Sequence, residues 1–470
     1  ERGITLGMAV LQFIQDVLKQ PALLLGIIAL VGLLAQKRPW YKTLTGTMKP
    51  ILGYLMLSAG ASIITTNLDP LGKMIMQGFH IKGVIPNNEA IVAVAQKVLG
   101  VDTCYILIIG LITNILIARF TKYKYIFLTG HHSFYMACLI SAVLNAAKIN
   151  EIPLIFVGGF LLGAWSSISP AIGQKYTLKV TDGDEIACGH FNSLGYYISS
   201  WIGSKVGKPN DSTEDMKVPE SLDFLRDTTI STALTMVVFF LVAAIAAGPA
   251  YVSTLSSGMS PFLYAIICGL TFSVGVTVVY SGVRMILGDL IPAFQGIAQK
   301  VIPNAVPAVD CAVFFTYAPT ALIIGFICSF IGGLVGMVIL GAIGGILIIP
   351  GMVPHFFDGA TAGIFGNATG GKRGAIIGSF VNGLIITFTP ALLLTFLGTI
   401  GFQNTTFGDT DFCILGITFG SIVNNFKYVG LAILVVALLI ALIVPNFVKT
   451  KSKALNNVMK SSTESSKPKI

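Results

Sequence analysis

Long, continuous apolar stretches are the feature that most limits what this chain can become. Eleven of them approach the roughly 20 residues that carry a helix across a bilayer. Five lie early: Pro21–Gln36, Met48–Thr66, Thr103–Ile117, His132–Ala147 and Ile152–Ala171. Five more follow at Thr229–Gly248, Phe262–Leu287, Thr320–Leu340, Gly341–Phe357 and Gly374–Leu397, and one stands last at Tyr428–Val448. Charged residues make up only 11% of the sequence, and mean hydropathy is +0.82. An ordinary soluble domain carries about 25% charged residues, so this chain lacks the polar surface to stay in water. The stretches do not alternate as barrel strands do. The sequence predicts an all-α polytopic membrane protein of about eleven transmembrane helices.

The grouping of five, five and one is echoed in the residues. Val84-Ile85-Pro86-Asn87 returns 217 positions later as Val301-Ile302-Pro303-Asn304. Leu107-Ile108-Ile109-Gly110 matches Leu322-Ile323-Ile324-Gly325, and LTGHHSF from Leu128 is answered by IPGMVPHFF from Ile349. HFNSLG from His190 is answered 221 positions later by DFCILG from Asp411. Near-constant offsets mark a doubled half, and a doubled half in an apolar chain points to a transporter. Basic residues follow alternate stretches: Lys37, Arg38 and Lys42; Arg119, Lys122 and Lys124; Lys175 and Lys179; Arg284; Lys372 and Arg373; then Lys449, Lys451 and Lys453. The positive-inside rule places these in the cytoplasm, with the N-terminus outside, the C-terminus inside and Lys427 outside. Each half then crosses an odd number of times, which makes the halves inverted repeats. The net charge of +9 is therefore a topology signal, and no nucleic-acid partner is implied. Seven scattered cysteines form no CxxC pair, so neither a metal site nor a disulfide framework is expected.

Two pairs of segments are too polar or too short to cross. Pro86–Leu99 corresponds to Pro303–Pro319, and His190–Val206 to Phe412–Val423. Interrupted segments at matching positions predict re-entrant hairpins around a mid-membrane site, because backbone leaves the helix only where it lines a cavity. Lys205–Asp227 reads as a cytoplasmic linker or docking surface, and the tail after Lys449 has the composition of disorder.

Ionisable residues at membrane depth are costly and functional by default. His131 and His132 open a stretch after Gly130. They are either an interfacial pair or imidazoles at a cavity mouth, able to donate to and accept from a hydroxyl-rich ligand. His190, with Asn192 and Ser193, is a helix cap or a donor group at a re-entrant tip. Asp310 is flanked by apolar residues and must bind a hydroxyl or pair with a histidine. Glu89 reads as a helix N-terminal acid that the dipole favours. His355 and Asp358 flank Phe356-Phe357 in a Gly-rich run read as a cytoplasmic turn, where they gate the site or cap a helix. No catalytic nucleophile or cofactor motif is present in the sequence.

The runs KYIFLTGHHSFYMA, DEIACGHFNSLGYYISSWIG, VPAVDCAVFFTYAP and IPGMVPHFFDGATAGIFGNATGG resemble the ascorbate-specific IIC permease family of the bacterial phosphotransferase system, over nearly the whole chain. The resemblance implies an inner-membrane homodimer embedded in lipid, with a V-motif (1–66 and 229–290) and a core (67–205 and 291–448). A cytoplasmic linker (206–228) and a disordered tail (449–470) complete it. It implies L-ascorbate as substrate, elevator-like movement of the core, and a separate cytoplasmic IIB protein, phosphorylated on cysteine by a IIA partner. The family's substrate contacts map onto Asn88, Glu89, His131, His132, Ser133, Phe134, Tyr135, His190, Phe191 and Asp310. Spans, hairpins and tail account for the whole sequence, so phosphoryl chemistry is expected from another polypeptide. The rival reading is an ion-coupled symporter of a small organic anion, with Glu89, His190 and Asp310 as proton sites.

Overall fold

The computed structural model describes residues 21–80, 83–183, 186–215, 220–221, 227–302, 305–398 and 405–447, and these residues are mostly helical. Helices α1 (Pro21–Ala35) and α2 (Trp40–Phe79) pack together and against α7 (Thr228–Ala247) and α9 (Pro261–Val301). The short α8 (Pro249–Leu255) follows α7 at a bend of 117°. Helix α2 runs unbroken through position 66, and α9 through position 290.

A second group of helices frames the site. It contains α3 (Asn88–Phe120), α4 (Gly130–Ala146), α5 (Glu151–Val180) and α6 (Ser193–Val206) from the first half. From the second half come α10 (Pro319–Ala342), α11 (Met352–Leu393) and α12 (Thr410–Phe447). Five described helical segments are long and apolar enough to cross a membrane: Asn88–Phe120, Glu151–Val180, Thr320–Ala342, Val353–Phe396 and Thr410–Asn446. The bent pair Met236–Ala247 and Pro249–Leu255 makes a sixth if counted as one span. The protein is a polytopic helical membrane protein.

Where the chain leaves the helix, its backbone groups are satisfied by strands borrowed from the other half. Strand β1 (Gly83–Pro86) lies between β5 (Leu347–Ile348) and β6 (Thr405–Thr406), all parallel, with Val84 opposite Ile348 and Pro86 opposite Thr406. Strand β4 (Val306–Val309) lies between β2 (Tyr125–Phe127) and β3 (Ala187–Cys188), with Ala308 opposite both Phe127 and Ala187. In each sheet the centre comes from one half and both edges from the other. Ladders this short form only because burial makes an unpaired amide expensive.

Three expectations change. Pro86–Leu99 is not a separate hairpin: after β1, Asn87 accepts a hydrogen bond from the Ala90 amide at 2.8 Å, and α3 then continues through Thr103 to Phe120. Gly341–Phe357 is not one span, because α10 stops at Ala342, β5 intervenes and α11 starts at Met352. The Gly-rich run after His355, read as a turn, lies inside α11. His190–Val206 does yield a half-helix, the 14-residue α6, and Phe412–Val423 sits in the first part of α12, ahead of a break at Lys427 (φ 49°).

The repeated tetrapeptide also separates. Val84–Pro86 lies in β1, whereas Val301 is the last residue of α9 and Ile302 follows it, and Pro303 and Asn304 lie outside the described residues. By position in its sheet, the counterpart of β1 is β4, since each is a central strand. Asn87 and Asp310 then occupy like places, each the cap residue after a central strand.

The two HFNSLG-like segments cap each other's helices. Asp411, in the first turn of α12, accepts from the Leu194 amide at 2.9 Å and the Ser193 hydroxyl at 2.7 Å, both in the first turn of α6. Asn192 returns the bond, its Oδ1 accepting from the Thr410 amide of α12 at 2.7 Å. Trp165 Nε1 donates to Asp411 Oδ2 at 3.2 Å, and the Asp411 amide donates to Phe191 O at 2.9 Å. Residues 211–215, within the stretch read as a linker or docking surface, pack on the second half: Glu214 caps α10 through the Thr320 and Ala321 amides, at 3.2 and 3.0 Å.

Helix α11 breaks at Gly371 (φ 58°, ψ −147°), where the Lys372 amide donates to Asp211 O at 2.7 Å and Lys372 Nζ meets the Asp211 carboxylate at 3.0 Å. A Cβ at Gly371 would lie 2.2 Å from Asp211 O, in a backbone region that L-residues avoid. Gly371→Ala is expected to destabilise the protein by about 1–3 kcal/mol, read as a lower thermal midpoint in detergent. Asp411→Ala removes the bonds at the α6 start and is expected to cost about 1–3 kcal/mol, the penalty of stranding buried donors. Wild-type midpoints for both variants would contradict these assignments.

Candidate functional site

The ends of the exchanged strands and the starts of the capped helices converge on one cavity. From the first half, Asn88 and Glu89 line it from the first turn of α3, His131, His132 and Tyr135 from α4, and His190 from the loop between β3 and α6. From the second half, Asp310 lines it from the end of β4, Val353, Pro354, Phe357 and Asp358 from α11, and Asp409 from the residue before α12. Three imidazoles therefore meet four carboxyl groups in a wall built by both halves.

Asp310 bridges two of the histidines. Its Oδ2 lies 3.5 Å from His131 Nε2, and its Oδ1 lies 3.9 Å from His190 Nε2. The His132 and His190 rings are 3.7 Å apart between centroids, and His132 stacks on Phe412 at 5.5 Å with 13° between planes. The Phe191 amide donates to His132 Nδ1 at 3.2 Å, and Asp409 Oδ2 stands 3.8 Å from the same nitrogen. Asn88 holds the approach to α12, donating from Nδ2 to Asp409 Oδ1 and accepting the Gly408 amide at 2.8 Å. Glu89 is buried, and its Oε2 has no geometrically sound hydrogen bond among the described residues.

Of the ten residues named from the resemblance, seven line this cavity: Asn88, Glu89, His131, His132, Tyr135, His190 and Asp310. Ser133 and Phe134 are buried beside it in α4 and do not line it. Phe191 stacks on Phe127 at 4.5 Å and reaches the site through its backbone amide. His355, left open between gate and cap, does not line the cavity, and its Nδ1 meets the Ser329 hydroxyl of α10 at 2.9 Å. Asp358 is a wall residue, and its Oδ1 lies 3.1 Å from the Tyr196 hydroxyl.

Asp409 and Tyr196 escaped the sequence reading. Asp409 carries the same signal as Asp310, a carboxyl in an apolar chain, but lies in a Gly-Asp-Thr-Asp run that looks like a loop. Nothing in GYYISS distinguishes Tyr196 from a core tyrosine. His132, His190 and Asp409 place one ligand atom each within 4.8 Å of one another, as do His190, Asp310 and Cys311. Backbone amides already occupy Nδ1 of both histidines in these groups. The arrangement is one of donors and acceptors, suited to a small polar molecule bound by many hydrogen bonds.

Comparison with known proteins agrees with this geometry. Residues 16–411 match the family described as the PTS system sugar-specific permease component. The chain is also similar to the ascorbate-specific PTS system EIIC component of Mycoplasma pneumoniae (strain ATCC 29342 / M129 / Subtype 1), with 26% identity over 414 residues. That alignment takes in 75% of this chain and 61% of the relative, so the chain spans about three-fifths of the relative's length. With the family match extending over most of its length, this chain belongs to the sugar-specific permease components of the phosphotransferase system.

Proposed function

We propose that this protein carries L-ascorbate across the bacterial inner membrane, and that the cavity around His131, His190 and Asp310 is where the substrate binds. The observation that carries this reading is the site itself, a pocket of histidines and carboxyls enclosed by both halves of a sugar permease. The similarity to an ascorbate-specific relative supports the choice of substrate. Ascorbate is a compact acid with an enediolate edge and a hydroxylated tail. Imidazole N–H groups suit the first, and the Asp310 carboxylate suits the second.

The exchanged strands and reciprocal caps support two inverted repeats, because each sheet takes its centre from one half and both edges from the other, and α6 and α12 cap each other. They also support a core that moves as one body, since the two halves cannot part without breaking both sheets. Helices α1, α2, α7 and α9 form the complementary V-motif, through which a homodimer would hold still while the core shifts like an elevator. About eleven crossings place the N-terminus outside and the C-terminus inside, by the distribution of basic residues. Phosphorylation belongs to a separate IIB protein charged by IIA, a division of labour supported by the match to a permease component of the phosphotransferase system.

Two experiments test the reading. His190→Ala and Asp310→Asn are each expected to weaken ascorbate binding by roughly ten- to a hundred-fold, the loss of one charge-assisted hydrogen bond of about 1.5–3 kcal/mol. Calorimetry on purified protein showing unchanged affinity in both would remove the site assignment. In membrane vesicles, uptake is expected to require phosphoenolpyruvate and a IIB protein. Uptake that continues without them and collapses with a protonophore would instead favour an ion-coupled symporter.

A further inference from the structure

Behind His190 lies a short chain of polar groups that direct ligand contact does not explain. Tyr196, fully buried in α6, places its hydroxyl 2.9 Å from His190 Nδ1 and 3.1 Å from Asp358 Oδ1. We infer that Tyr196 and Asp358 are positioning residues, holding His190 as the neutral tautomer whose single proton sits on Nε2, the nitrogen nearer Asp310.

The assignment follows from counting protons. The Asn192 amide can only donate, and it points at His190 Nδ1 from 3.3 Å. Nδ1 must therefore keep its lone pair, which leaves the ring proton on Nε2. With no proton on Nδ1, the Tyr196 hydroxyl must be the donor in their 2.9 Å contact. A hydroxyl has one proton, so the contact between Tyr196 and Asp358 is satisfied only if Asp358 supplies the hydrogen. Asp358 is then a carboxylic acid. Its surroundings agree: it is 1% exposed, its Oδ2 has no geometrically sound hydrogen bond among the described residues, the Asp409 carboxyl faces it, and the nitrogen 3.8 Å away is the unprotonated His190 Nδ1. A bare carboxylate there would be buried without compensation. The bonds run one way, from Asp358 O–H to Tyr196 O–H to His190 Nδ1.

His132 reaches the same state by a shorter route. The Phe191 amide donates into its Nδ1, leaving the proton on Nε2. Two protonated rings 3.7 Å apart would repel, whereas two neutral rings pack. The chain behind His190 thus sets the polarity of the ring: a donor edge faces Asp310, and the lone pair faces α6. The opposite tautomer would offer a lone pair to an anionic ligand.

The inference about ring state stands on geometry alone; only its effect on affinity rests on the ascorbate reading. The full chain has five histidines, so ¹⁵N-histidine labelling in nanodiscs gives few resonances, and His190 is assigned by its absence from His190→Gln. Without ligand, His190 is expected to show an unprotonated Nδ1 and a protonated Nε2 at neutral pH. In the infrared difference between wild type and Asp358→Asn, the missing band is expected to be the C=O stretch of a carboxylic acid. Tyr196→Phe is expected to populate both His190 tautomers and to weaken ascorbate binding roughly tenfold. Asp358→Asn offers an amide N–H in place of the O–H and is expected to retain the wild-type tautomer.

An Nδ1-protonated or doubly protonated His190 in the wild type would overturn the inference, as would loss of carboxylate bands in the infrared difference. The first reading uses a variant only for assignment, since the wild-type nitrogen spectrum decides it. If both spectra are as expected while Tyr196→Phe and His190→Ala bind ascorbate normally, the ring state stands and the ascorbate site fails.

Discussion

Everything in this protein depends on how a buried backbone finds hydrogen bonds where it stops being helical. An amide stranded in an apolar interior costs several kcal/mol, and each place where the chain breaks step creates several. The fold answers by exchange between its two halves. Strands β5 and β6 of the second half flank β1, and strands β2 and β3 of the first half flank β4. Asn192 caps α12, and Asp411 caps α6. Neither half is complete alone.

The site is a by-product of that exchange. Helix starts and strand ends meet where the halves interlock, so their side chains project into a common space. Asp310 follows the central strand β4, His190 follows the edge strand β3, and Asp409 follows the edge strand β6. Asn88 sits one residue past the cap of α3 and ties that helix to the approach of α12. Carboxyls and imidazoles that would be intolerable singly are kept by one another and by amides that have no other acceptor. The same bonds that seal the backbone therefore also set the orientation of the histidines.

Much of this was legible beforehand, for reasons that can be named. His131, His190 and Asp310 stood out because an ionisable group in an apolar chain needs a reason to be there. The echo of HFNSLG in DFCILG marked corresponding segments, and the structure brings their helix starts together. Other readings failed because they were local. The run GATAGIFGNATGG looks like a loop by propensity, yet it is helical because its glycines let backbones touch: a Cβ on Gly370 would lie 2.3 Å from Gly203 O. The doubled tetrapeptide misled in register, since the first copy lies in a strand and the second begins on the last residue of a helix.

By itself the sequence determined the class of protein, because apolar length dictates membrane helices. It also determined which residue types could matter, because charge is so scarce. Only the tertiary structure decided which of them meet. Asp358 and Asp409 join the cavity, and Tyr196 backs it, through contacts between residues more than 150 positions apart in several cases. Side-chain periodicity and composition carry no information about such pairings. They arise when two halves share strands and caps, and that sharing is a property of the assembled backbone.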